Sequence, residues 1–124
     1  GCPLTSLGNL SGIVPYTAFY AREEFINNNK DLIQRFNNAL NKGIKFTKEN
    51  DSETIAKAII NQFPDTSLKD LTILVDRYKN ADSWYDNTYV NSKDYDKLID
   101  ILYYGKFINN KLDSNILITN EFNK

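Results

Sequence analysis

A chain of 124 residues and 14.3 kDa has room for one domain or part of one. It is 41% hydrophobic and 25% charged with a net charge of −1, which sets it apart from disordered tails and from general nucleic-acid binders with their basic surplus. With no His and one Cys, this stretch cannot build a zinc cluster, a disulfide framework or a histidine-based catalytic triad, and no apolar run approaches the roughly 20 residues of a membrane-spanning helix.

The first dozen residues hold three of the five glycines together with Pro3, Ser6, Asn9 and Ser11, a composition that reads as a connector. Ile13 to Ala21 is short, aromatic and β-rich, and reads as a strand. Pro15 lacks the N–H for a ladder hydrogen bond, so it belongs at the strand's start or edge. After Arg22 the period changes. Arg22 to Asn28 reads as a short helix with Glu23 and Glu24 at its positive end, and Asn29 is placed to cap a second. Along that second helix Leu32, Ile33, Phe36, Leu40 and Ile44 form one apolar stripe. Gly43 within it implies a close neighbour, because a helical glycine costs about 1 kcal/mol against alanine.

Ser52 as N-cap and Pro64 as terminator frame a third helix, with Ile55, Ile59 and Phe63 on one face. Ser67 and Asp70 approximate a capping box for a fourth, whose buried stripe is Leu71, Leu74, Val75 and Tyr78. Residues 80–90 break the pattern and carry Trp84, Tyr85 and Tyr89. A fifth helix starts at Asn91 or Ser92, aligns Tyr95, Leu98, Ile99 and Leu102, and ends at Gly105. In the tail, Ile116-Leu117-Ile118 reads as a strand or a docked turn. A lone strand cannot satisfy its own backbone groups. Asn, Ile and Lys make up a third of the chain; the Asn residues are scattered among periodic positions, which suggests AT-rich coding rather than a prion-like tract.

Several stretches occur in an order that resembles one family. They are Ser6-Leu7-Gly8, Ser11-Gly12-Ile13, Pro15-Tyr16-Thr17 and Phe25-Ile26, then Gln34-Arg35-Phe36, Asn38-Ala39-Leu40 and Lys42-Gly43. Ile55-Ala56-Lys57-Ala58-Ile59 and Phe63-Pro64-Asp65-Thr66-Ser67 follow, and Arg77-Tyr78-Lys79, Asp82-Ser83-Trp84 and the helix closing at Gly105 complete the set. Together they resemble the C-terminal part of substrate-binding proteins of nitrate/sulfonate/taurine-type ABC transporters, a group that includes binders of thiamine-pyrimidine precursors.

The resemblance implies a fragment of a periplasmic-binding-protein type II α/β clamshell, mainly α here with one strand, or two if the tail is extended. Residues 1–12 would be the crossover from the second lobe, and residues 13–124 the C-terminal strand and helical layer of the first. It further implies a small-molecule solute, ABC membrane subunits as partners, and an extracytoplasmic location, in the periplasm or on a Gram-positive surface as a lipoprotein. Catalysis, cofactor and metal are not expected, and neither is nucleic acid. Asp82 with Asp86 and Asp94 with Asp96 lack the glycine and terminal glutamate of a calcium loop.

Tyr16 and Thr17, at the mouth of the expected strand, are the candidate ligand contacts. Each is otherwise an ordinary strand-end residue. Gly8 and Gly12 are hinge candidates, with turn glycines as the plain alternative. Trp84 is an aromatic anchor for its connector or a stacking platform. Two other functions use the same residues: a helical interaction module whose N-terminal strand pairs with another chain, including a second copy of itself, and a pyrimidine-synthesising enzyme relative.

Overall fold

The computed structural model describes residues 12–15, 17–81 and 84–123. The described residues are helical and irregular; none is in a strand. The elements are α1 (Glu23–Asn28), α2 (Lys30–Glu49), α3 (Ser52–Ile59) with a 3-10 turn at Ile60–Gln62, α4 (Leu68–Asn80), α5 (Ser92–Tyr104) and α6 (Ser114–Leu117). They fall into two compact units, residues 1–37 with 89–124, and residues 38–88.

The second unit is built on α3 and α4. Asp51 caps α3 by accepting from the Thr54 N–H at 2.7 Å, one residue earlier than the Ser52 cap expected. Phe63, before Pro64, leaves the helical region, as the proline requires. Ser67 caps α4, accepting from the Asp70 N–H at 3.1 Å and donating its hydroxyl to Oδ2 at 2.7 Å. Ile55, Ala56, Leu71 and Val75 form the buried core, with Ile59, Ile60 and Trp84 packed against it. Ala56 is completely covered, so α4 approaches α3 where the side chain is smallest. Of the stripe expected on α4, Leu71 and Val75 are buried while Leu74 and Tyr78 remain exposed.

The first unit holds α1, the beginning of α2, α5 and α6. Asn29 does not cap α2 with its side chain. Its Nδ2 donates back to the Phe25 carbonyl at 2.8 Å, and only its backbone carbonyl accepts from Ile33. Tyr95, Ile99, Ser114 and Phe122 are buried. The tail is tied to α2 by side chains: Gln34 and Asn37 both donate to the Phe122 carbonyl, at 2.8 and 2.7 Å, and Lys30 pairs with Glu121 at 2.7 Å.

α5 ends in a Schellman turn. The Lys106 N–H donates to Tyr103 O at 3.0 Å and the Phe107 N–H to Leu102 O at 2.8 Å. The left-handed residue of the turn is Lys106, at φ 60°, while Gly105 stays near the helical region at φ −73°. Gly105 is needed for space instead: an added Cβ would lie 2.9 Å from Ile101 O and from the Phe107 ring. Gly43 behaves in the opposite way to expectation, since a Cβ there would meet nothing within 4 Å.

Among the described residues of 13–21 the expected strand is absent. Its described residues belong to no helix or strand, and Phe19 and Tyr20 are 76% and 97% exposed. Two physical reasons account for this. Pro15 offers no donor, and the other candidate strand, Ile116 to Ile118, is largely taken into the single turn of α6. A β-rich sequence with no partner strand among the described residues leaves its backbone to water. This corrects the expected type II α/β clamshell fragment with its strand: the described part of the chain is all-helical.

Candidate ligand-binding site

In the first unit an open cleft of about 570 Å³ runs between one face of α5 and the segment 111–115. Ser92, Asp96, Ile99 and Asp100 recur at one-turn spacing, which places them in a row facing that segment. Ile99 is buried and forms an apolar floor. On the other side Asp113 caps α6, its Oδ1 accepting from the N–H and the Nδ2 of Asn115, both at 2.8 Å.

The charges in the cleft are of both signs. Lys111 Nζ pairs with Asp100 Oδ1 at 2.6 Å and lies 5.2 and 4.9 Å from the ring centroids of Tyr103 and Tyr104. The hydrogen bond to Asp100 raises the Lys111 pKa, so the ammonium is firmly held in its charged form. Asp96 is exposed. On the same helix the Tyr95 hydroxyl is buried without a hydrogen-bond partner. Burial pushes its pKa up, and the charges of Asp96 and Asp113 push it further. Such a cleft can hold a small polar solute by hydrogen bonds and charge pairing. Among the described residues no group of three or more His, Cys, Asp or Glu is placed to hold a metal ion.

Of the residues singled out from sequence, none that is described lines this cleft. Tyr16 and Gly8 fall outside the described residues. Thr17 is exposed and does not line this cleft. Gly12 adopts φ +71°, a conformation that favours glycine, with a hypothetical Cβ 3.3 Å from Lys97 Nζ. Trp84 packs against the core of the second unit and stacks on Tyr78 at 6.2 Å between centroids. It also borders a smaller cavity of about 200 Å³. Of the cleft's polar residues, Ser92, Asp96 and Asp100 carried one sequence signal, polar positions four apart on α5 beside its apolar stripe, and Lys111 and Asp113 carried none. An ordinary solvated helix face produces the same pattern.

Sequence comparison brings the chain to a protein named for binding rather than for catalysis. That relative is "Putative binding protein YtlA" of Bacillus subtilis (strain 168), 29% identical over 99 residues. The match takes in 80% of this chain and 30% of the relative, so the chain spans less than a third of the relative's length. No family model matches the chain, and no solved structure matches it.

Proposed function

We propose that this chain is the C-terminal segment of the solute-binding component of an ABC importer, of the nitrate/sulfonate/taurine or thiamine-precursor type, acting outside the cytoplasm. The observation that carries this reading is the 29% identity, over most of the chain, to a protein named for binding. The ordered stretches from Ser6 to Gly105 support the transporter type. The α5 cleft supports a small polar solute, because Asp96, Asp113 and the Lys111–Asp100 pair offer it both signs of charge and Ser92 a hydroxyl. The importer's membrane subunits are the partners in this reading.

The test is a thermal-shift and calorimetric screen of the full-length polypeptide carrying this segment, against taurine, alkanesulfonates, nitrate and aminopyrimidines. One class should stabilise it. At a ligand concentration 100 times Kd the gain is about 2.7 kcal/mol. Asp96→Asn should weaken that binding if the α5 cleft contributes. A full-length protein that none of these compounds stabilises contradicts the proposal.

A further inference from the structure

The smaller cavity, in the second unit, is lined by Thr47, Lys48, Lys79 and Trp84. Its two lysines come from the last turns of α2 and α4, where an ammonium complements exposed carbonyl ends. Lys79 Nζ donates to the carbonyl of Asn50, just past the end of α2, and Lys48 Nζ pairs with Asp86. Lys79 therefore meets a neutral dipole, and among the described residues the carboxylate paired with a lining lysine is Asp86. The Asp86 side chain is 83% exposed and stands in the irregular stretch after Trp84, so water competes for it and it is readily displaced. Trp84 packs against the Ile55–Val75 core and stacks on Tyr78, which fixes its ring in place.

Two ammonium groups beside a fixed indole define a chemical class. We propose that this cavity binds a small aromatic anion, one ring carrying a carboxylate or a sulfonate. The ring lies against Trp84, and the anionic group takes the place of Asp86 on Lys48 and within reach of Lys79. Asp86, which does not line the cavity but pairs with Lys48, is then an internal competitor for that ammonium. Size agrees with a single ring: a cavity of roughly 150 Å³ is known to admit benzene, and this open depression offers about 200 Å³. An organic cation is repelled by both lysines, and an aliphatic anion gains nothing from the indole. The site shares no residue with the α5 cleft and does not rest on the importer reading.

Trp84 is the single tryptophan of the chain, so its emission reports this cavity directly. The 124-residue chain is titrated with benzenesulfonate at low ionic strength, with benzylamine and methanesulfonate as controls. A saturable change is expected with benzenesulfonate alone, with a Kd on the order of 1 mM for a ligand of this size. Asp86→Asn removes the competitor and should tighten binding roughly two- to fivefold, the fold-change of an exposed ion pair. Lys48→Gln should weaken it by at least as much. A gain of affinity in Asp86→Asn cannot arise from misfolding. The proposal is overturned if neither the wild type nor Asp86→Asn saturates, if benzylamine gives an equal response, or if Asp86→Asn binds more weakly.

Discussion

α5 closes with Gly105 at φ −73° and Lys106 at φ 60°, so the lysine and not the glycine carries the left-handed backbone. In that region an L-residue brings Cβ too close to the following carbonyl, at roughly 1–2 kcal/mol. Lys106→Gly relieves that strain and gives back about 0.5–1 kcal/mol through the greater freedom of glycine in the unfolded chain. The net expectation is a stabilisation of about 0.5–1 kcal/mol, since both Schellman hydrogen bonds, at 3.0 and 2.8 Å, are donated by backbone and survive the change. Gly105→Ala should move stability the other way. Its φ suits alanine, but the new Cβ would sit 2.9 Å from Ile101 O, and that oxygen accepts the Gly105 N–H at 2.9 Å. The Phe107 ring is exposed and can swing aside; the carbonyl yields only by stretching the last helical bond. A loss of about 1 kcal/mol follows, the lower end for overpacking. Urea unfolding followed by circular dichroism measures both, and with a slope of about 1–3 kcal/mol per molar each midpoint moves by several tenths molar. Amide exchange at residues 105–107 locates the effect. If Lys106→Gly destabilises, or Gly105→Ala leaves exchange at these amides unchanged, the turn is not built as described.

Ile55→Ala removes the most deeply buried large side chain of the second unit and should cost about 2–5 kcal/mol, read from the unfolding midpoint of Trp84 emission; a loss below about 1 kcal/mol would show that this core is not the one that holds the unit. Tyr95→Phe deletes a buried hydroxyl that has no partner, so thermal unfolding should show stability unchanged or raised by about 1 kcal/mol, and a clear loss would mean the hydroxyl is bonded in solution. Asp51 has its pKa lowered, chiefly by the Thr54 N–H it accepts at the start of α3. Its contribution to stability is therefore present above the ordinary carboxylate value of about 4 and is lost as pH falls through the depressed folded value. Asp51→Asn keeps the cap and should flatten the acid limb of the unfolding curve, whereas an unchanged limb would remove Asp51 from the linkage.

The helices were legible because their signals are local. Three-to-four spacing and nearby caps such as Ser67 and Asn91 determine where a helix runs, and α4 and α5 lie where those signals put them. The strand at 13–21 failed because β propensity describes a residue's fitness for a ladder and not the existence of a partner. The long apolar stripe of α2 carries the same lesson, since none of its residues is buried: amphipathicity marks the face that can be covered and does not supply the cover. The α5 cleft was illegible for a related reason. Asp96 and Asp100 look like a solvated face until the Schellman turn reverses the chain and brings Lys111 back onto Asp100. Trp84 packs on the Ile55–Val75 core, the nearest apolar surface open to a lone indole in a polar connector.

The abundance of asparagine has a structural side that composition conceals. A side-chain amide carries both a donor and an acceptor, so one residue can imitate a peptide group. Asn120 does so toward Val90: its Oδ1 accepts from the Val90 N–H at 3.1 Å and its Nδ2 donates to the Val90 carbonyl at 2.9 Å. These are the two bonds that a bridging residue exchanges across an antiparallel ladder. Asn41 accepts from the Thr88 N–H at 3.1 Å in the second unit, and Asn37 holds the Phe122 carbonyl in the first. Each such bond contributes about 0.5–1.5 kcal/mol net, and a buried peptide left unpaired costs more. Where the described connectors have no sheet to join, side-chain amides such as these pair with connector backbone groups. AT-rich coding can explain why asparagine is plentiful, but it does not explain why Asn41 and Asn120 stand opposite backbone groups of the connectors.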